Sequence, residues 1–225
     1  FLEKKYKNDI YLIYSGGDDM LLVGAWDKII SASYEIRKKF QEYTCYNRCF
    51  SMSTGITVTG DKFPIYRSAE LSGNAEKESK KFIRNGKSKN AVTIFDITVG
   101  WEEYENYKSI WYKLYNGIKV GKDNKKMPQS LLRKLFMISY LYEKEKKFLL
   151  EKNSYSLEEI SKLVQYSKWM WYLIYTIARS KDKTFESELT EIQNSVLDEK
   201  IIDRLQLPLR LTELSLRIKK EEKNG

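Results

Sequence analysis

The 225-residue chain contains no histidine. That absence excludes Ser-His-Asp and Cys-His nucleophile systems, imidazole-based zinc sites and histidine-dependent nucleases, so any metal must sit on carboxylates. Cysteine is nearly as scarce. Cys45 and Cys49 are the only two, and a CxxxC pair without two more sulfur or imidazole ligands does not close a tetrahedral zinc site. Both are expected as ordinary thiols in a reducing compartment. Long apolar runs are missing as well: none reaches the roughly 20 residues needed to cross a bilayer, and no segment has signal-peptide form. The expectation is a soluble cytoplasmic protein with no membrane partner. An initiator Met is also lacking, since the chain opens Phe1-Leu2-Glu3-Lys4-Lys5, and the expectation is a piece of something longer.

Hydrophobic residues make up 42% and charged residues 32%, a globular composition that leaves little room for a long disordered tail. The length suits two small domains, each burying its own core. A formal charge of +9 fits a polyanionic partner. The basic excess is spread evenly along the chain, which suits scattered positive faces along an RNA or within an assembly better than one basic arm.

Along the first hundred residues the pattern is mixed. Asp9 to Tyr14 (DIYLIY) and Met20 to Ala25 (MLLVGA) read as strands joined by Ser15-Gly16-Gly17-Asp18-Asp19, a hairpin signal. Both are apolar on nearly every residue, so they are expected to be covered on at least one face and to lie centrally in a sheet. Asp27 is positioned to cap a helix with apolar residues Ile29, Ala32, Ile36, Phe40 and Tyr43. Phe50 to Val58 reads as a strand with a return after Gly60-Asp61, Pro64 precedes a helix from about Ser68 to Phe82, and Ala91 to Phe95 reads as a final strand. This is the order of a βαββαβ ferredoxin-like palm, less its first strand and most of its first helix. The fold class is therefore α+β, with a palm over residues 1–99 that is incomplete at its N-terminus. Residues 100–225 read as an all-α bundle, with polar breaks at Gly121 to Asn124, Asn153 to Tyr155 and Ser180 to Lys183. Pro128 and Ser130 mark a helix start, Ser156-Leu157-Glu158-Glu159 has capping-box form, and Leu207, Leu211, Leu214 and Ile218 line a last helix.

The chemistry-bearing residues cluster in the first region. Gly16 and Gly17 allow a tight turn and close approach of a ligand, and Asp18 and Asp19 set two carboxylates at the hairpin tip. Magnesium typically takes one or two protein carboxylates and fills its shell with water and nucleotide phosphates. A solvated hairpin turn is the alternative reading. Adjacent strand residues point to opposite faces, so the two carboxylates are not equivalent, and Asp18 is the favoured direct ligand. Tyr166, Trp169, Trp171, Tyr172 and Tyr175 crowd one helix in the second region. Such a stripe can stack bases, but at helical spacing it is more often core or a subunit interface.

Four segments, YSGGDDMLLVG (14–24), SMSTGI (51–56), the helix AEL...NAE..SK (69–80) and WEE (101–103), together resemble the second palm of the large subunit of type III CRISPR effector complexes, Csm type. The resemblance implies an RNA-activated nucleotidyltransferase that converts ATP to cyclic oligoadenylate with Mg2+ or Mn2+ held on Asp18 and Asp19. It also implies that Lys80 holds triphosphate oxygens and that Ser15, Gly16, Gly17, Ser53 and Asn74 lie at the nucleotide. A structural hydrogen bond is the alternative for Ser15, Ser53 and Asn74, and a solvated lysine for Lys80. Implied partners are the CRISPR RNA and target RNA, the small subunit and other subunits of the complex, and an upstream first palm of the same subunit. The histidine-bearing nuclease domain of that family is not in this sequence, so nuclease activity is not assigned. Two further readings stay open: a degenerate palm that only scaffolds the guide RNA and neighbouring subunits, and a stand-alone GGDEF-type cyclase. For the latter a Phe is expected where Met20 stands.

Overall fold

The structure, a computed structural model, describes residues 2–84, 86–151, 156–180 and 183–221. Two compact units divide the chain, Phe1–Glu102 and Glu103–Gly225.

The first unit starts with a short helix α1 (Leu2–Lys5), followed by strands β1 (Ile10–Gly16) and β2 (Asp19–Gly24). These strands pair antiparallel, Gly16 facing Asp19 and Ile10 facing Gly24, with Ile13 as the extra residue of a bulge. They make a sheet of two strands. The central, covered placement expected from their apolar sequence is not what the structure shows. Tyr11, Leu12, Ile13 and Tyr14 are all half or more exposed. The physical reason is that, among the described residues, the hairpin pairs with itself alone, and Ile10 and Leu22 pack onto a small cluster with Leu2, Tyr6, Ile29 and Ala32.

Helix α2 (Trp26–Tyr43) begins one residue after β2 and touches both β2 and β3. Asp27 does not cap it. Ala25 occupies the cap position without a side-chain bond, and Asp27 stands in the first turn, where its negative charge favours the helix dipole. The buried face also differs from the expected one: it carries Ile30, Ala32, Ser33, Tyr34 and Arg37, while Tyr43 points to solvent. Strand β3 (Thr54–Ile56) is shorter than expected and has no return strand among the described residues. The chain instead bends to Pro64, which starts helix α3 (Ile65–Lys81).

A small hairpin, β4 (Ile83–Arg84) with β5 (Lys87–Ser88), precedes β6 (Ala91–Ile94) and β7 (Ile97–Gly100). Strand β3 pairs parallel to β6, which pairs antiparallel to β7. The sequence reading had one strand here, not two. Phe95 and Asp96 both take positive φ, 54° and 62°, the backbone of a type I′ turn, although neither is the Asn or Gly that normally signals one. Every residue of β6 is buried.

The second unit is helical. Helix α4 (Trp101–Tyr115) runs into a π-helical turn at Asn116–Val120, then Gly121 at φ 78° and a tight turn at Asp123-Asn124 break the chain. After this come α5 (Ser130–Glu151), α6 (Leu157–Tyr166), α7 (Trp169–Ser180), α8 (Glu186–Leu197), α9 (Glu199–Ile202) and α10 (Gln206–Glu221). The capping box forms as read. The Glu159 N–H donates to Ser156 Oγ, and the Ser156 N–H donates to Glu159 Oε2 at 2.9 Å. Tyr104, Tyr107, Ile110, Leu114, Leu131, Leu135, Leu173 and Leu207 are buried in this unit's core. Trp111 donates its ring N–H to Ser215 Oγ at 2.9 Å. The break expected at Asn153 to Tyr155 and the side chain of Ile218 lie outside the described residues, as do residues 181 and 182 of the Ser180 to Lys183 break. Among the described residues no helix is long and apolar enough to cross a membrane.

Candidate active site

The hairpin tip is a two-residue turn. Gly16 and Asp19 are the last paired residues, leaving Gly17 and Asp18 as the connection. Gly17 has φ 62°, a conformation open to glycine without steric cost and matched to the twist of a tight hairpin. Gly16 lies in β1, so only one of the two glycines is required by the turn. Asp18 sits on the turn and Asp19 opens β2, and both are exposed with Ser15. Rigid paired strands therefore present both carboxylates to solvent.

A second element, α3, carries the lysine singled out from sequence. Gly55 in β3 lies so close to α3 that a Cβ there would collide with the backbone of Ser72 and Glu76. The glycine of SMSTGI thus lets helix and strand pack backbone to backbone, which seats Glu76. One turn on, Lys80 Nζ pairs with Glu76 Oε1 at 2.6 Å. The Glu76 hydrogen bond holds the Lys80 ammonium above the ordinary lysine range, and Asp19 and then Asp18 push it the same way. Lys80 thus lies within electrostatic range of both tip carboxylates, with no ion pair to either.

The remaining residues singled out from sequence divide. Ser53 is half-buried just before β3, and its Oγ has no hydrogen-bond partner, so the structural hydrogen bond weighed for it is not formed. Asn74 is exposed on α3 and lies about 120° around the helix from Lys80 at 100° per residue. Glu76 and Arg37 were not assigned a role from sequence. An acidic residue four before a lysine was the signal for Glu76. Arg37 had none, because a charged residue on a helix reads as solvated until its burial is known.

A divalent ion fits this donor set in one way. Among the described residues no group of three or more acidic, cysteine or histidine side chains gathers into a metal cage. Two exposed carboxylates suffice for magnesium only when nucleotide oxygens and water supply the remaining ligands.

An α+β unit with an exposed acidic hairpin tip, followed by a helical unit, gives the class: a palm-like domain with a helical region after it. Residues 1–93 match the family model described as Cas10/Cmr2, second palm domain. The chain is similar to the CRISPR system single-strand-specific deoxyribonuclease Cas10/Csm1 (subtype III-A) of several organisms. The identity to the Methanocaldococcus jannaschii protein is 34% over 120 residues, covering 49% of this chain and 15% of that one. For Mycobacterium tuberculosis it is 40% over 94 residues, 41% of this chain and 11% of the relative. For Streptococcus thermophilus it is 28% over 160 residues, 68% and 19% respectively. The chain spans less than a fifth of the length of each of these relatives.

Proposed function

We propose that this chain is the catalytic palm of a type III CRISPR RNA-guided complex and joins ATP molecules into a cyclic oligoadenylate when target RNA is bound. The observation that supports it most is the exposed hairpin tip that carries Asp18 and Asp19, with Lys80 of α3 in electrostatic range of both. Each condensation forms a bond from a 3′-hydroxyl oxygen to the α-phosphorus of a second nucleotide and breaks the α–β phosphoanhydride, releasing pyrophosphate. Asp18 and Asp19 would hold a Mg2+ or Mn2+ ion, which would supply charge neutralisation at the phosphates and acidify the attacking hydroxyl.

The chain's own residues position and balance charge. Lys80 offers a compact cation to triphosphate oxygens, and Glu76 fixes its direction through the 2.6 Å pair. The unpaired Ser53 hydroxyl and the exposed Ser15 are donors on the same palm. Gly16 and Gly17 keep the tip slim enough for phosphates to approach the backbone.

Partners follow from exposed surface. The uncovered Tyr11–Tyr14 face of β1 suits an upstream palm of the same large subunit. In the helical unit, Leu157, Val164 and Trp171 are more than half exposed, which suits docking of the small subunit and proximity to guide and target RNA. On this reading the chain alone is inactive and works only in the assembled complex, within the cytoplasm. The single-strand deoxyribonuclease activity in the relatives' name is not placed on this histidine-free chain.

Asp18→Ala combined with Asp19→Ala tests the assignment. In the assembled complex with guide and target RNA the double variant is expected to lose ATP conversion while RNA binding stays within a few-fold. Unchanged product formation would sink the catalytic reading and favour a palm that only scaffolds the complex.

A further inference from the structure

Helix α7 has two unlike sides. Trp169, Leu173, Thr176 and Ile177 are buried, while Trp171, Tyr172 and Tyr175 stand 73%, 42% and 58% exposed. Lys168, whose carbonyl accepts the Tyr172 N–H at 2.9 Å, starts the same helical path, and Arg179 lies at its far end; both are exposed. At 100° per residue, Lys168, Trp171, Tyr172, Tyr175 and Arg179 fall within an arc of about 100°, on the side away from the buried residues. Three large exposed rings on one arc mark a surface that a partner covers.

Charge decides which partner. Helix α7 carries no acidic residue. Elsewhere in this unit a cation is answered by a carboxylate one turn away, as in Lys162 with Glu158, Lys147 with Glu151 and Arg217 with Glu213. Among the described residues, neither Lys168 nor Arg179 forms an ion pair. Arg179 instead donates from Nη1 to the Tyr175 hydroxyl at 2.8 Å, and its guanidinium carbon lies 5.5 Å from the centre of that ring. Ring and cation are thus held as one unit, and a guanidinium has further N–H groups for an outside acceptor. Helix α6 is the contrast. Its exposed Leu157, Ile160 and Val164 fall within about 60° of one another, and its single lysine is the one paired with Glu158. That ridge is apolar and charge-compensated, as a protein contact is. The α7 face joins aromatic surface to unanswered positive charge, and each nucleotide of a single strand brings both a π-face and a phosphate. A duplex keeps its bases stacked inside and offers them to no ring. Trp171 and Tyr175 are four residues apart, about 6 Å along the axis, against about 3.4 Å between stacked nucleotides. Two neighbouring bases therefore part to take one ring each.

We propose that the exposed face of α7 is a stacking platform for single-stranded RNA, with bases on Trp171 and Tyr175 and phosphates at Lys168 and Arg179. This rests on the reading of the chain as part of an RNA-guided complex and assigns the residues of the helical unit that meet the RNA.

Fluorescence anisotropy of a mixed-sequence single-stranded RNA with the full 225-residue chain tests it. Trp171→Ala with Tyr175→Ala is expected to weaken binding at least tenfold, whereas Trp171→Phe with Tyr175→Phe keeps both rings and stays within about threefold. Lys168→Ala with Arg179→Ala is expected to flatten the slope of log affinity against log salt by about 1.4, two phosphates at about 0.7 each, and the ring-to-alanine variant to leave that slope unchanged. Leu157→Ser with Val164→Ser, on α6, is expected to leave RNA affinity unchanged. Unchanged RNA affinity in the ring-to-alanine variant overturns the proposal, and if that variant also loses the small subunit the face is a protein contact. An equal loss for duplex RNA of the same sequence, or in the α6 variant, overturns it as well. Ultraviolet crosslinking of 5-iodouridine-substituted RNA in the assembled wild-type complex decides the matter if the alanine variant does not fold: a crosslink at Trp171 or Tyr175 is expected, and its absence refutes the platform. A complex that converts ATP on target RNA without that crosslink refutes this inference alone. The crosslink in a complex that never converts ATP refutes the catalytic reading alone.

Discussion

Strand β1 carries Tyr11-Leu12-Ile13-Tyr14 and strand β6 carries Ala91-Val92-Thr93-Ile94, both apolar along nearly their whole length. The first run is 50–70% exposed and the second is buried throughout. Similar local sequence therefore ends in opposite surroundings. What differs is the neighbourhood: β6 has β3 on one edge, β7 on the other and α3 against it, whereas β1, among the described residues, pairs with β2 alone and packs inward through Ile10 at its base. The lesson is that an apolar run specifies a strand, while its burial depends on what lies at its edges and faces. On the proposed reading, an uncovered face of this kind ties the hairpin of Asp18 and Asp19 to the partner that covers it.

Substitutions in the two strands sharpen that contrast. Val92→Asp sets a carboxylate at a position with 0% exposure, and is expected to destabilise the first unit by about 4 kcal/mol or more. Ile13→Asp, at an exposed bulge position, is expected to stay within about 0.5 kcal/mol in the isolated chain. Urea unfolding of the two variants gives the comparison, and equal losses would show that the β1 face is already buried. A smaller effect is expected at the glycines. Gly55→Ala pushes a methyl group into the α3 backbone and should cost about 1–3 kcal/mol. Gly60→Ala meets nothing within 4 Å and should be near neutral. Parity between them would remove the argument that Gly55 seats Glu76 and Lys80.

How much of this was legible in the sequence depends on whether a local signal existed. The β1–β2 turn was readable because Gly17 supplies the positive φ that the hairpin needs. The Ser156 capping box was readable for the same reason: both partners are present at fixed spacing. The β6–β7 hairpin was not, since Phe95 and Asp96 take positive φ under tertiary constraint and without the usual turn residues. Helix α2 was mis-phased because Arg37, read as polar, lies on the buried face. The aromatic stripe of α7 shows the same limit. Trp169 is buried, donating its ring N–H to Glu145 Oε2 at 2.6 Å, while Trp171, two residues on, is 73% exposed. Asp18, Asp19 and Lys80 were nameable from motif, but the Glu76–Lys80 pair and the close packing at Gly55 required the fold.

The central claim is that the carboxylates on the exposed hairpin complete a metal site together with a nucleotide. Its most direct measurement is a Mn2+ titration followed by electron paramagnetic resonance on the assembled complex, with and without ATP, for the wild type and the Asp18→Ala, Asp19→Ala double variant. The account predicts tight Mn2+ binding only when both ATP and the two carboxylates are present, with the wild-type signal lost in the double variant. Equal Mn2+ uptake by wild type and double variant in the presence of ATP would contradict it.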